Sequence, residues 1–139
     1  MSTSSNANGP PFAIVDGDPG SGVVIHVPHA STIIPDWVRE RIVLSDEDLA
    51  IELVAMTDAA TDRIARESSG LSGKPPWLFI NQRSRLVVDP ERFPDPVDEV
   101  MAAHAIGMSA VYTRTAHGGK LREDDAGHRD ELITAFFDP

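Results

Sequence analysis

Apolar residues first gather at Val23-Val24-Ile25-His26-Val27, a short β-branched run bounded by Gly20-Ser21-Gly22 and Pro28. Its near-continuous apolarity predicts a strand covered on both faces, as in a parallel sheet. Pro35 and Asp36 then open a short helical turn through Trp37 and Val38. Ser45-Asp46-Glu47-Asp48 is a helix start, with a serine N-cap and acids in the positive first turn. The helix is predicted over about 46–68, stopping at Gly70, with the stripe Leu49, Leu53, Met56, Ala60 and Ile64 spaced by 4, 3, 4 and 4. After a flexible connection at 69–76, Trp77–Ile80 reads as a second strand and Arg85–Val88 as a short one ending at Asp89-Pro90. Val97–Ala105 is a candidate short helix. Ala110–Thr113 is a further strand before a turn at His117-Gly118-Gly119. A last helix over about 124–137 places Leu132, Ile133, Phe136 and Phe137 on one face. Strands alternating with helices predict an α/β fold, a layered αβα arrangement with a mainly parallel or mixed sheet. Residues 1–20, small and polar at their start, are expected to form a flexible arm, and 21–139 a single α/β domain.

Composition narrows the chemistry. The chain has 139 residues, one domain on a prior of roughly 100–200 residues each. Lys plus Arg total 12 and Asp plus Glu 22, so the net charge is 12 − 22 = −10. That balance argues against nucleic-acid and anionic-membrane partners, which need a basic face. It does not exclude a small anionic substrate, since a few local arginines can overcome a distant field. There is no cysteine, which removes disulfides, thiol nucleophiles and Cys-ligated metals. The N-terminus lacks the basic start and apolar run of a secretory signal, and no stretch approaches the roughly 20 apolar residues of a membrane span. A soluble cytoplasmic protein is the default expectation.

Several residues could carry chemistry. His29 follows the first predicted strand, where ligands bind in α/β sheets, and a neutral imidazole there can ligate zinc; a structural or surface histidine is the plainer reading. His26 lies three residues earlier, and in a strand that spacing points the two rings to opposite faces. His104, His117 and His128 have no companion at ligand spacing and are expected at the surface. Asp58 follows Ile51 and Val54 on one helical row, so its carboxylate is drawn towards a semi-buried face. It needs a cation, a metal or donors there, unless it forms a solvated edge with Asp62 near Arg66. Arg83, Arg85 and Arg92 cluster around Asp89; they suit a substrate carboxylate, and equally an Arg85–Asp89 or Arg92–Asp95 salt bridge. Asp16-Gly17-Asp18 and Gly20-Ser21-Gly22 are turns, lacking the other positions of a calcium or phosphate loop.

Taken in order, these pieces resemble one family. Ile25-His26-Val27-Pro28-His29-Ala30-Ser31 with Ile34-Pro35, the helical Asp58-Ala59-Ala60-Thr61-Asp62, and Ser84-Arg85-Leu86-Val87-Val88-Asp89-Pro90-Glu91-Arg92-Phe93 are similar to segments of the N-formylglutamate amidohydrolases. Gly107-Met108-Ser109-Ala110-Val111-Tyr112-Thr113 and Gly119-Lys120-Leu121-Arg122 continue the likeness, which spans about 23–139. The resemblance implies a phosphorylase/hydrolase-like α/β fold related to the zinc carboxypeptidases. It also implies metal-dependent hydrolysis of the amide of an N-acyl acidic amino acid, such as N-formyl-L-glutamate. By matching position, His29 would be a ligand of Zn²⁺, Asp58 a ligand or a group beside one, and Arg85 and Arg92 would face the substrate's carboxylates. Glu91 departs from the asparagine many members carry before the second arginine. The family continues past a segment like Phe137-Asp138-Pro139, so the chain resembles the N-terminal part of the enzyme domain. A further metal-ligand histidine and the acid/base glutamate are then expected in a second half. The alternative is a non-catalytic α/β interaction module derived from the same fold.

Overall fold

The computed structural model describes residues 7–100 and 106–138. Three strands form one mixed sheet in the order β1-β3-β2. β1 (Phe12–Val15) runs antiparallel to β3 (Trp77–Asn81), with Phe12 opposite Asn81 and Val15 opposite Leu78. β2 (Val24–Val27) runs parallel to β3, with Val24 opposite Trp77 and Val27 opposite Ile80. A parallel neighbour needs a long crossover. Here it carries α1 (Asp36–Arg39), α2 (Asp46–Met56) and α3 (Thr61–Leu71). A 3₁₀ turn at Pro96–Asp98 and α4 (Ala126–Phe136) follow. No helix of the described residues is long and apolar enough to cross a membrane.

The α/β class with a mixed sheet agrees with the sequence reading; several boundaries do not. The single helix expected over 46–68 is two helices. Thr57 is extended and Ala60 sits at φ +67°, in the left-handed region that costs a non-glycine residue energy. The chain breaks there because the Asp58 N–H donates to the His29 carbonyl (2.9 Å), while the Thr61 hydroxyl donates to the Asp58 carbonyl (2.8 Å). β1 lies inside the stretch expected to be a flexible arm, and further contacts hold its approach. The buried Arg83 guanidinium donates to the carbonyls of Ala7, Gly9 and Pro10, and Gly17 sits so close to Pro76 and Trp77 that a Cβ there would clash. β2 is an edge strand, which leaves Val23 and Val24 exposed instead of covered on both faces. The segments 85–88 and 110–113 are buried but form no strand; they run as turns and irregular chain. The helix expected over 97–105 is reduced to the 3₁₀ turn in its described part, and 101–105, with His104, lie outside the described residues.

Three apolar clusters hold these pieces. Val27, Ala65, Leu78 and Ile80 join the sheet to α3. Ile42, Leu49, Met56, Leu86, Tyr112 and Leu121 join α2 to the irregular second half. Val38, Val87, Val88, Ala110, Val111 and Leu132 seat α4, with Phe136 and Phe137 partly buried against them. Burying a side chain such as Leu132 is worth roughly 1.5–3 kcal/mol, so this contact fixes α4 on the domain. Val87 and Val88 of that cluster directly precede Asp89, which is itself fully buried.

Candidate active site

β2 ends at Val27, and the chain leaves the sheet through Pro28 into the loop that carries His29. Asn81, the last residue of β3, donates to the Pro28 carbonyl (2.9 Å), and the Ser31 hydroxyl donates to the Gln82 carbonyl (3.0 Å). These bonds pin the loop to the neighbouring strand. His29 is buried, 4% exposed, at the carboxyl end of the parallel pair.

Both ring nitrogens of His29 face carboxylates. Nε2 lies 2.9 Å from Asp89 Oδ1 and 3.8 Å from Glu91 Oε2, and Nδ1 lies 3.4 Å from Asp58 Oδ2. Asp89 is fully buried and richly served. It accepts from His29, from the Glu91 N–H (2.9 Å), from Arg85 Nη2 (2.8 Å) and from the Tyr112 hydroxyl. Burial alone would raise its pKa, but the bonds from His29, Tyr112 and the Glu91 N–H win and hold it well below the usual carboxylate range. An ionised carboxylate can only accept, so His29 Nε2 carries the proton. In the neutral ring Nδ1 is then a lone pair. Nδ1 faces Asp58, whose side chain is 57% exposed on a groove of about 290 Å³ that Pro28 and Thr61 also line.

The helix break at 57–60 is what brings Asp58 to His29; the backbone bond between them fixes the approach. The His26 ring packs edge-on against Phe79, with ring centroids 5.3 Å apart, and lines the same groove as Asp58. Burial lowers the His26 pKa. Arg85 spends Nε on the Tyr112 oxygen (3.1 Å) and Nη2 on Asp89. Arg92 pairs with the buried Glu99 at 3.6 Å, not with Asp95. Arg83 turns away from Asp89 altogether. His117 is exposed as expected, whereas His128 is buried, 5% exposed, edge-on to Trp37 at 6.1 Å. Two members of the site were missed by the sequence reading. Asp89 figured there as a partner for the arginines, not for His29. Tyr112 is the chain's one tyrosine, in an apolar run whose spacing gives no hint of Asp89.

The family model of N-formylglutamate amidohydrolase matches residues 21–139. The chain belongs to the N-formylglutamate amidohydrolase family. A solved N-formylglutamate amidohydrolase from Ralstonia eutropha JMP134 superposes with a TM-score of 0.67 at 17% identity, over 91% of this chain and 48% of that one. The likeness at that identity establishes the fold, and the chain spans about half the length of that relative. No curated protein matches the chain.

The resemblance to this family implies a zinc ion, and the donors at His29 and Asp58 fit one. Nδ1 of His29 and a carboxylate oxygen of Asp58 stand 3.4 Å apart. Two ligands each roughly 2.0–2.2 Å from a tetrahedral ion stand roughly 3.3–3.6 Å from one another. Metal-bound imidazoles also commonly donate their second N–H to a carboxylate, as His29 does to Asp89. Among the described residues no group of three or more His, Cys, Asp or Glu is arranged to hold a metal.

Proposed function

We propose that this chain carries the His29–Asp58 portion of a metal-dependent hydrolytic site of N-formylglutamate amidohydrolase type, acting on the amide of an N-acyl acidic amino acid. The observation that carries the reading is the imidazole held by Asp89 on one nitrogen and open towards Asp58 on the other. His29 Nδ1 and the Asp58 carboxylate would hold Zn²⁺, which when bound polarises a carbonyl and lowers the pKa of water. Asp89 keeps the His29 proton on Nε2 and so keeps Nδ1 available as a donor. The groove beside Asp58 offers space for an acyl group next to the donors. Arg92, about one-third exposed, offers guanidinium N–H groups to a substrate carboxylate beyond its bond to Glu99. Arg85, with two nitrogens already engaged, would contribute through its remaining amine. Glu91, half-exposed beside His29, lies at the same mouth.

The test is formate release from N-formyl-L-glutamate, with and without added Zn²⁺. The reading expects zinc-dependent turnover that His29→Ala abolishes. A rate indifferent to that substitution would refute it. The second reading, a non-catalytic α/β module, is favoured by one observation: two donors are fewer than the three protein ligands of a catalytic zinc. A folded protein that neither turns over the substrate nor binds Zn²⁺ selects that reading.

A further inference from the structure

Tyr112 is wholly buried, so it touches no substrate. Its ring packs among Ile42, Leu49, Leu86 and Leu121, and the core therefore fixes where its hydroxyl stands. That hydroxyl donates to Asp89 Oδ2, the oxygen that also takes Arg85 Nη2, and it accepts from Arg85 Nε. The result is a division of labour within one carboxylate. Oδ2 is held by phenol and guanidinium, and Oδ1 is left for His29 Nε2 and the Glu91 N–H. A carboxylate rotates over a broad torsional well when nothing grips its second oxygen. Gripped, it presents Oδ1 at one angle, and a ligand ring needs its orientation held within about 10–20°.

We infer that Tyr112 is a positioning residue of the metal site, acting through Asp89 to aim His29 Nδ1 at Asp58. The inference rests on the metal reading above and gives Tyr112 a role that the resemblance does not assign it. It links core packing directly to the aim of a ligand: displacing the Tyr112 ring moves Asp89, and with it the imidazole.

Tyr112→Phe keeps the ring and its packing and removes only the hydroxyl. Co²⁺ is the probe, since its absorption bands report ligand geometry as well as affinity. Wild type is expected to bind Co²⁺, and Tyr112→Phe to bind it roughly tenfold more weakly with altered bands and unchanged far-ultraviolet circular dichroism. Affinity and bands equal to wild type would overturn the inference. Because the chain has one tyrosine, biosynthetic 3-fluorotyrosine alters position 112 alone and keeps the hydroxyl; wild-type-like Co²⁺ binding is expected. Should wild type bind no Co²⁺, the metal reading fails by itself. The positioning is then read from the His29 Nε2 proton in ¹H–¹⁵N spectra, which Tyr112→Phe must shift. A Tyr112→Phe protein that does not fold is replaced by the 3,5-difluorotyrosine protein, whose more acidic hydroxyl must shift the same signal. An unmoved signal overturns the inference in either case.

Discussion

His29 and His128 are buried to the same degree, 4% and 5% exposed, and their surroundings are opposite. His29 has a carboxylate facing each nitrogen, one saturated with donors and one open to solvent. Among the described residues His128 has no hydrogen-bond partner on either nitrogen, and the exposed Glu131 lies 3.7 Å from its Nδ1. Its neighbours are the Trp37 ring and two arginines, Arg41 and the buried Arg122, whose own pKa burial pushes down to about 10. Burial therefore does not make a histidine functional. What separates the two rings is the pair of carboxylates facing His29, Asp89 at 2.9 Å and Asp58 at 3.4 Å. His128 fills the joint between α4 and Trp37.

Four substitutions separate the two environments. Asp89→Ala strands His29 Nε2, Arg85 and Tyr112 without their acceptor, and is expected to destabilise the fold by about 3–5 kcal/mol in urea unfolding. A loss below about 1 kcal/mol would mean the network is not closed around Asp89. Asp58→Asn, on an exposed side chain, is expected to leave stability within about 0.5 kcal/mol while weakening Zn²⁺ binding at least tenfold by calorimetry. Equal affinity would remove Asp58 from the donor set. Arg92→Ala is expected to raise KM for N-formyl-L-glutamate roughly tenfold with little change in kcat, as loss of uniform binding does. An unchanged KM would reassign Arg92 to Glu99 alone. The smallest effect is at His128. Burial, then Arg122 and Arg41, hold its pKa below 6.5 in the folded protein. The unfolded chain thus binds the proton first as pH falls, and the stability His128 contributes while neutral is present above pH 6.5 and lost below it. His128→Phe is expected to flatten the stability profile between pH 7 and 5.5; a profile as steep as wild type would show that other groups set it.

Much of this site is legible in the chain, though not its arrangement. The β-branched run ending in Pro28-His29 and the serine N-cap at 45, which accepts from the Asp48 N–H, come directly from local rules. The break that delivers Asp58 does not. Thr57-Asp58-Ala59-Ala60 contains no glycine or proline, and the apolar stripe runs through it to Ile64, so periodicity reads one helix. The cause is tertiary, the His29 carbonyl 29 residues earlier in the chain, and it shifts the register so that Ala65 is buried and Ile64 is 58% exposed. Leu86-Val87-Val88 carries the opposite lesson. Its burial is complete, yet it pairs with no strand, because apolar runs report burial and not hydrogen bonding. Asp89 and Tyr112 meet from positions 23 apart in the sequence, which no spacing rule reaches.

The central claim is that one imidazole stands between a carboxylate already satisfied and one that awaits a cation. Crystals grown with Zn²⁺, measured on both sides of the zinc absorption edge, test it most directly. The account predicts an anomalous peak bonded to His29 Nδ1 and the Asp58 carboxylate, with Nε2 still on Asp89. A well-occupied peak elsewhere, or one on Nε2 with Asp89 displaced, would contradict it.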